Sequence, residues 1–152
     1  MGKGGERRIQ ARQFYQGAYF TALEPGEILT AIRIRPPDEG HGWSYHKLKR
    51  KIGDYATAAA AVVLTMKGTG EIGSAAIALT NVAETPLYAE AATRLIVGSK
   101  LDAATVKLAV TAAEAITAPS TDTRGPAQYR TKMAGVMLTR ALARAAQRAR
   151  GE

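Results

Sequence analysis

Cysteine is absent from this sequence of 152 residues, and histidine occurs only twice. The absence of cysteine excludes disulfides, thiolate metal sites, cysteine-ligated iron–sulfur clusters and a cysteine nucleophile. No apolar run reaches the roughly 18 residues of a membrane span, and the opening segment lacks the apolar region of a secretory signal. Hydrophobic residues make up 46% of the sequence and charged residues 22%, as in globular proteins. We therefore expect a single cytoplasmic domain.

Motifs of the common catalytic and nucleotide-binding sites are also missing. No serine lies in a nucleophile-elbow sequence, and no glycine-rich phosphate-binding loop follows a predicted strand. His41 and His46 lie five positions apart without flanking carboxylates at ligand spacing, so we expect no metal site. The chain is not expected to supply a hydrolase centre or a pyrophosphate-binding loop.

Positive charge is the strongest bias that is present, because 21 Lys or Arg residues against 13 Asp or Glu residues give a formal net charge of +8. The excess lies in a basic start, in the motif KLKRK at residues 47–51, and near the end, where Arg140, Arg144 and Arg148 recur every four residues. Such charge suits nucleic acid, an acidic membrane or an anionic cofactor, and a solvated surface is the simplest interpretation.

Hydrophobic periodicity predicts an α+β fold, in which an antiparallel sheet of about four strands precedes three packed helices. A turn is expected at residues 23–27 and a hairpin loop at residues 67–71. The predicted strands cover residues 28–34, 43–51, 56–66 and 72–81.

The three helices are predicted from start and stop signals. The first begins at Pro86 after an N-cap at Thr85, buries a face that includes Leu95, and ends at Gly98. The second follows an N-cap at Asp102 and includes Ile116. The third runs from about Pro126 to Arg150.

The segment YHKLKRKIGDY, residues 45–55, combines a basic strand with a glycine turn and an aromatic residue. Alternation places Lys47, Lys49 and Lys51 on one face with Trp43 and Tyr45, and such a face must meet water or a negative partner. Fixed cations suit a ligand whose reduced form is anionic, such as a flavin whose ring an aromatic edge covers. The same cations and aromatics could instead bind nucleic acid. The residues alone leave these interpretations open, together with that of an ordinary surface strand.

Four longer stretches resemble the medium, flavoprotein subunit of aerobic molybdenum carbon monoxide dehydrogenases: FYQGAYFTALEPGEILTAIRI, YHKLKRKIGDYATAAAAVVLTM, IALTNVAETPLYAEAA and RGPAQYRTKMAGVMLTRAL. That subunit belongs to the xanthine dehydrogenase family of molybdenum hydroxylases. The similarity runs from about Arg8 to the last residues and covers only the C-terminal half of the family's subunit. The resemblance therefore implies the C-terminal domain alone, with residues 1–12 as a remnant of the preceding FAD-binding domain.

The resemblance also implies a function for the segment that ends at Tyr55. In the family, electrons leave a molybdopterin centre on a large subunit, cross iron–sulfur clusters on a small subunit and reach FAD. This chain would complete the isoalloxazine pocket, with Tyr55 against the ring, Asp54 beside it, and Lys47 and Lys49 in an electropositive wall.

Expected partners are the missing N-terminal FAD domain and the large and small subunits, with no nucleic acid and no transmembrane segment. The chain would be an oxidoreductase domain that is inactive alone. A basic nucleic-acid-binding module and a purely structural subunit domain are the alternatives.

Overall fold

A computed structural model describes Gly2 and residues 4–152, which form two compact units. The first unit ends at Pro37, and the second covers Asp38–Glu152. Lys3, which belongs to the basic start, lies outside the described residues together with Met1. The single domain, and the origin of residues 1–12 in a preceding domain, stay predictions.

The first unit contains a short helix and a small hairpin. Helix α1 covers Ala11–Phe14, and strands β1 (Tyr15–Gly17) and β2 (Phe20–Thr21) pair antiparallel. Arg7 donates from Nε and Nη2 to the two carboxylate oxygens of Glu27, both at 2.6 Å. This bidentate pair is the main reason that the pKa of Glu27 is lowered to about 2.

Residues 28–34 do not form the predicted strand. The turn before them is confirmed, because the Glu27 N–H donates to the Glu24 carbonyl at 3.0 Å. A strand needs a neighbouring strand for its backbone hydrogen bonds, and neither sheet formed by the described residues includes this segment. Ile32 and Ile34 are exposed. The alternation of isoleucines is therefore a local pattern that no sheet of the described residues extends.

The second unit contains a four-stranded antiparallel sheet. Its strands are β3 (His41–Leu48), β4 (Ala58–Met66), β5 (Ile72–Thr80) and β6 (Leu87–Tyr88). They are ordered β3-β4-β5-β6, so β3 and β6 are edge strands. The predicted hairpin loop between β4 and β5 is confirmed by a hydrogen bond from the Lys67 N–H to the Glu71 carbonyl at 2.8 Å.

Three helices pack against this sheet: α2 (Glu90–Ile96), α3 (Ala103–Glu114) and α4 (Ala127–Ala149). Helix α4 packs on β3 and β4, α2 packs on β5, and α3 packs on α2 and α4. The core between sheet and helices includes the large buried side chains Val62, Leu64, Ile77, Leu79, Leu138 and Leu142, with many alanines around them. The predicted α+β fold is confirmed.

The predicted start of the first of these three helices is wrong. Leu87–Tyr88 pairs with β5 as a short strand, so Thr85 is not an N-cap and α2 begins only at Glu90. Backbone hydrogen bonds to β5 outweigh the local helix-start signal, because tertiary context overrides a weak local propensity. The buried face shifts accordingly to Ala92, Thr93 and Ile96, while Leu95 is exposed.

The other two helices follow the prediction more closely. Asp102 is the N-cap of α3, since its carboxylate accepts hydrogen bonds from the N–H groups of Ala104 and Thr105, both at 3.0 Å. Helix α3 ends at Glu114, so Ile116 lies beyond it rather than inside it. Helix α4 agrees with its predicted bounds to one residue at each end.

Candidate functional site

Strand β3 carries the start of the basic segment along an edge of the sheet. Its side chains alternate as predicted, because Trp43, Tyr45 and Lys47 are exposed whereas Gly42 and Ser44 are buried. The strand pairs with β4 along its whole length. It therefore turns one aromatic and basic face toward solvent.

The strand is shorter than predicted. It ends at Leu48, so Lys49 and Lys51 lie in the loop that follows and not on the strand. The reason is that β4 begins only at Ala58, which leaves residues 49–57 without a position in the ladder. The three lysines consequently do not share one flat strand face.

The loop of residues 49–57 is closed and sharply turned. The Thr57 N–H donates to the Leu48 carbonyl at 2.8 Å and closes its ends. Gly53 has a φ of +80°, which glycine adopts without steric cost, and the Asp54 N–H donates to the Lys51 carbonyl at 3.3 Å. The predicted Gly53-Asp54 turn is confirmed.

Tyr55 follows this turn at the surface. Its side chain is 74% exposed, and no helix of the second unit covers it. Lys47 and Lys49 are exposed as well, and Asp54 is half-buried. Lys47 thus lies near the end of β3, and Lys49, Asp54 and Tyr55 lie on the loop that follows it; their contact with a flavin stays a prediction.

A cation that the sequence analysis missed lies beside Tyr55. The guanidinium carbon of Arg124 is 5.6 Å from the centre of the Tyr55 ring, within the range of a cation–π interaction. Arg124 lies just before α4, between the second and third predicted helices. The two residues meet only because the fold brings their loops together.

A buried arginine that the sequence analysis also missed anchors the loop of residues 49–57, called the Tyr55 loop below. Arg130 on α4 is 6% exposed and donates from Nε to the Thr57 carbonyl at 3.1 Å. The same side chain donates to the carbonyl of Ser120 at 2.8 Å and to that of Asn81. Arg130 therefore joins the end of the Tyr55 loop to the end of β5 and to the segment before α4. The available sequence signal was its spacing of seven and eight residues from Met137 and Leu138, which places Arg130 on the apolar face of the predicted helix.

Asp122 links Arg130 to Arg124. Its Oδ2 accepts hydrogen bonds from Nη1 of both arginines, each at 3.1 Å, and its Oδ1 accepts from the Arg124 backbone N–H at 2.8 Å. That backbone hydrogen bond, followed by the charge of Arg130, holds the pKa of Asp122 below its ordinary value. The carboxylate is therefore ionised at neutral pH between two cations.

A second surface feature is an open groove of about 530 Å³ between β3 and α4. The guanidinium carbon of Arg148 lies 3.9 Å from the centre of the Trp43 ring, and its Nη1 donates to the Trp43 carbonyl at 2.8 Å. Arg140 and Arg144 also line the groove and are exposed. Of the three arginines that recur every four residues, Arg140 and Arg144 are thus solvated, and Arg148 packs against the edge of the sheet.

Neither a metal centre nor a membrane span is evident in the part of the chain that the structure describes. Within Gly2 and residues 4–152, no group of three or more His, Cys, Asp or Glu side chains could hold a metal ion. In the same residues, no helix is both long and apolar enough to cross a bilayer.

A sequence model of the family described as "CO dehydrogenase flavoprotein C-terminal domain" matches residues 43–145. The chain belongs to this family. The match begins within β3 and ends within α4, so it includes the Tyr55 loop, Asp122, Arg124 and Arg130. The resemblance inferred from the sequence is confirmed.

Two medium chains and one crystal structure illustrate the similarity. The carbon monoxide dehydrogenase medium chain of Afipia carboxidovorans is 65% identical over 149 residues, which cover 98% of this chain and 51% of the relative. The medium chain of Hydrogenophaga pseudoflava is 44% identical over 141 residues, covering 93% of this chain and 49% of the relative. A crystal structure of a cyanide-inactivated Cu,Mo-CO dehydrogenase matches with a TM-score of 0.94 at 65% identity, over 97% of this chain and 51% of that one.

The chain spans about half the length of the curated relatives it matches. Similarity extends beyond carbon monoxide dehydrogenases, because a quinoline 2-oxidoreductase from Pseudomonas putida has 35% identity and a TM-score of 0.85 over 97% of this chain. The CO dehydrogenase flavoprotein C-terminal domain is thus a fold shared by relatives with different named substrates.

The Tyr55 corner of this CO dehydrogenase flavoprotein C-terminal domain fits one wall of a flavin site. The exposed Tyr55 ring offers a flat apolar surface, and Arg124 offers positive charge beside it. A planar ring system that becomes anionic on reduction matches both properties. Because the sequence has no cysteine, this chain offers no thiolate ligands.

Proposed function

We propose that this chain is the C-terminal domain of the FAD-binding medium subunit of a molybdenum hydroxylase, most specifically a carbon monoxide dehydrogenase. Membership of the flavoprotein C-terminal domain family and 65% identity to a carbon monoxide dehydrogenase medium chain support this assignment. The observation that carries the flavin role is the exposed Tyr55 ring, which projects after the Gly53 turn with Arg124 beside it.

The predicted site residues Lys47, Lys49, Asp54 and Tyr55 each have a role in this function. Tyr55 lies against the isoalloxazine ring and excludes water from that side of it. Asp54 holds the turn beside the tyrosine, and Lys47 and Lys49 add positive charge to the wall. Bound FAD would accept electrons from the partner subunits and pass them to an external acceptor.

The proposed partners follow from what this chain lacks. The FAD diphosphate would be held by the other half of the medium subunit, because this sequence has no glycine-rich phosphate-binding loop. A large subunit would carry the molybdopterin centre and a small subunit the iron–sulfur clusters, so the chain alone would be inactive. The cytoplasmic location stays a prediction.

A titration with FAD tests the division between the two halves. Flavin fluorescence is followed as the chain is added, first alone and then with the flavin-binding half of a related medium chain. We expect weak or no binding by the chain alone and quenching when both halves are present. Tight binding of FAD by the chain alone would contradict the proposal.

Substitution of Tyr55 tests the corner itself. In the reconstituted subunit, Tyr55→Ala should change the visible absorption spectrum or the reduction potential of the flavin, because the ring loses its aromatic neighbour. Tyr45→Ala is the matched control, since Tyr45 is also an exposed tyrosine of the second unit and lies on β3. An unaltered flavin in Tyr55→Ala would refute contact between this tyrosine and the ring.

The nucleic-acid alternative makes a different prediction. A module that binds through its net charge of +8 would shift DNA or RNA in a gel at physiological salt, with an affinity that falls steeply as salt rises. We expect no such shift. The flavin proposal is preferred because the family match includes the whole Tyr55 loop.

A further inference from the structure

We infer that Arg124 is the fixed cation of the flavin-facing corner and that Asp122 is the positioning residue that holds it there. The inference rests on the proposed function of the Tyr55 loop as a flavin wall. It assigns the electrostatic role chiefly to Arg124, which lies 69 positions after Tyr55, rather than to Lys47 and Lys49.

The backbone around Arg124 is held in one conformation. Asp122 and Gly125 exchange backbone hydrogen bonds across it, at 3.0 Å and 3.3 Å. Gly125 has a φ of +133°, and a β-carbon there would lie 2.9 Å from Cδ1 of Tyr129. The tight turn therefore fixes the direction of the Cα–Cβ bond of Arg124.

The guanidinium of Arg124 is held by the side chain of Asp122. Asp122 accepts from its Nη1 at 3.1 Å, and the same carboxylate oxygen is held by buried Arg130, also at 3.1 Å. Arg130 in turn donates to the Thr57 carbonyl, two residues after Tyr55. One network thus positions both the cation and the tyrosine that it faces.

The charge balance of this network favours an anionic ligand. One carboxylate lies between two guanidinium groups, so Asp122, Arg124 and Arg130 together carry a net charge of +1. The Arg124 side chain is only 27% exposed, and its Nε–H is shielded from water without a hydrogen-bond partner among the residues described. The protein therefore does not use all the hydrogen-bonding capacity of this guanidinium.

Lys47 and Lys49 are less constrained than Arg124. Both are exposed lysines, whose charges sit on flexible stems and are screened by water and salt. A charge that is fixed and partly shielded acts more strongly on a neighbouring ring than a mobile, solvated one. The Arg124 cation should therefore affect a bound flavin more than either lysine does.

The test measures the flavin reduction potential in the FAD-loaded medium subunit reconstituted from both halves. Arg124→Gln should disfavour the reduced, anionic flavin by about tenfold, which is a fall of about 30 mV for a two-electron couple. Arg124→Lys should restore part of the loss. Arg144→Gln is the control, because it removes the same charge from an exposed position on α4.

The role of Asp122 is tested through its dependence on Arg124. Asp122→Asn alone should change the potential, and it should add nothing in the Arg124→Gln background because it acts through that side chain. Independent, additive effects of the two substitutions would overturn the positioning role. If Asp122→Asn unfolds the domain, Asp122→Glu, which keeps the charge but moves the carboxylate, replaces it in the same cycle.

A measurement without flavin checks the geometry. In the NMR spectrum of the chain, the side-chain resonances of Arg124 should shift when Tyr55→Leu removes the ring current, and those of Arg144 should not. Absence of a shift would overturn the contact between Arg124 and Tyr55.

The outcomes separate this inference from the proposed function. If Tyr55→Ala and Arg124→Gln both leave the flavin spectrum and potential unchanged, the flavin wall itself is refuted. If Tyr55→Ala alters the flavin and Arg124→Gln does not, only the role of Arg124 is overturned.

Discussion

A β-carbon on Gly42 would lie 1.8 Å from the carbonyl oxygen of Ala145 and 2.6 Å from the backbone nitrogen of Ala149. The backbones of β3 and α4 therefore approach each other directly, without side chains between them. Close packing of this kind transmits any added volume to the neighbouring backbone. It sets the position of the sheet edge that leads into the Tyr55 loop.

Gly42→Ala should destabilise the second unit by about 3 kcal/mol, at the upper end of the usual cost of overpacking, because the added methyl group meets backbone atoms that cannot rotate away. The measurement is the free energy of unfolding from urea titration. Gly68→Ala is the matched control, since a β-carbon at Gly68 would meet nothing within 4 Å. Equal stability of the two variants would show that β3 and α4 are not in direct backbone contact.

Arg130→Met should cost about 3 kcal/mol or more, because it leaves the carbonyls of Thr57, Ser120 and Asn81 without their donor in a buried site. Unfolding in urea gives the free energy, and hydrogen exchange should show faster opening of the segment around Thr57. Arg140→Met removes an exposed arginine from the same helix and should change stability little. A small effect of Arg130→Met would mean that these hydrogen bonds do not hold the loop.

Arg148→Ala should expose Trp43 and weaken the second unit by about 0.5–1 kcal/mol, the usual contribution of a cation–π contact near a surface. Trp43 is the sole tryptophan of the sequence, so its fluorescence reports this contact directly. We expect altered emission and more efficient quenching by acrylamide. Arg144→Ala should change neither the emission nor the quenching. The same emission in the parent protein and in both variants would contradict stacking of Arg148 on Trp43.

Acid should destabilise the second unit through Asp102 and Asp122. Hydrogen bonds to the Asp102 carboxylate, the largest of them from the Thr105 N–H, lower its pKa below the ordinary 3.8, and the pKa of Asp122 is lowered too. A lowered folded-state pKa means that the stabilisation is complete above the unfolded-state pKa and is lost as the pH falls through the folded-state value.

The free energy of unfolding should therefore be nearly level from pH 7 to about 5 and fall below about pH 4. Asp102→Ala should be less stable at neutral pH and show a shallower fall in acid, as measured by urea titration between pH 2 and pH 7. A parallel pH profile for the variant and the parent would show that Asp102 does not contribute to acid unfolding.

The parts of the fold that depend on neighbouring residues were predictable. The hairpin between β4 and β5 follows from two apolar runs across a glycine-containing loop, and the start of α3 follows from the capping carboxylate of Asp102. The Gly53-Asp54 turn and the exposed face of β3 were also local patterns. These signals survive in the folded protein because the interactions behind them span only a few residues.

The predictions that failed depended on a distant partner. Leu87–Tyr88 reads locally as the first turn of a helix, yet β5 offers it backbone hydrogen bonds. Residues 28–34 read as a strand, although neither sheet formed by the described residues pairs with them. Local propensity differs little between the alternatives, so the available partner decides.

The α+β class and the exposed basic segment that ends at Tyr55 follow from alternation and turn residues, which act over short distances, and the family follows from the four stretches that resemble its medium subunit. The cation that faces Tyr55 is set only in the folded chain. Arg130 donates to the carbonyl of Thr57, which lies 73 positions earlier in the sequence. Arg130 also donates to Asp122, which in turn holds Arg124. No local pattern encodes such a meeting, since it exists only once α4 has packed on the sheet and brought three loops to one buried guanidinium.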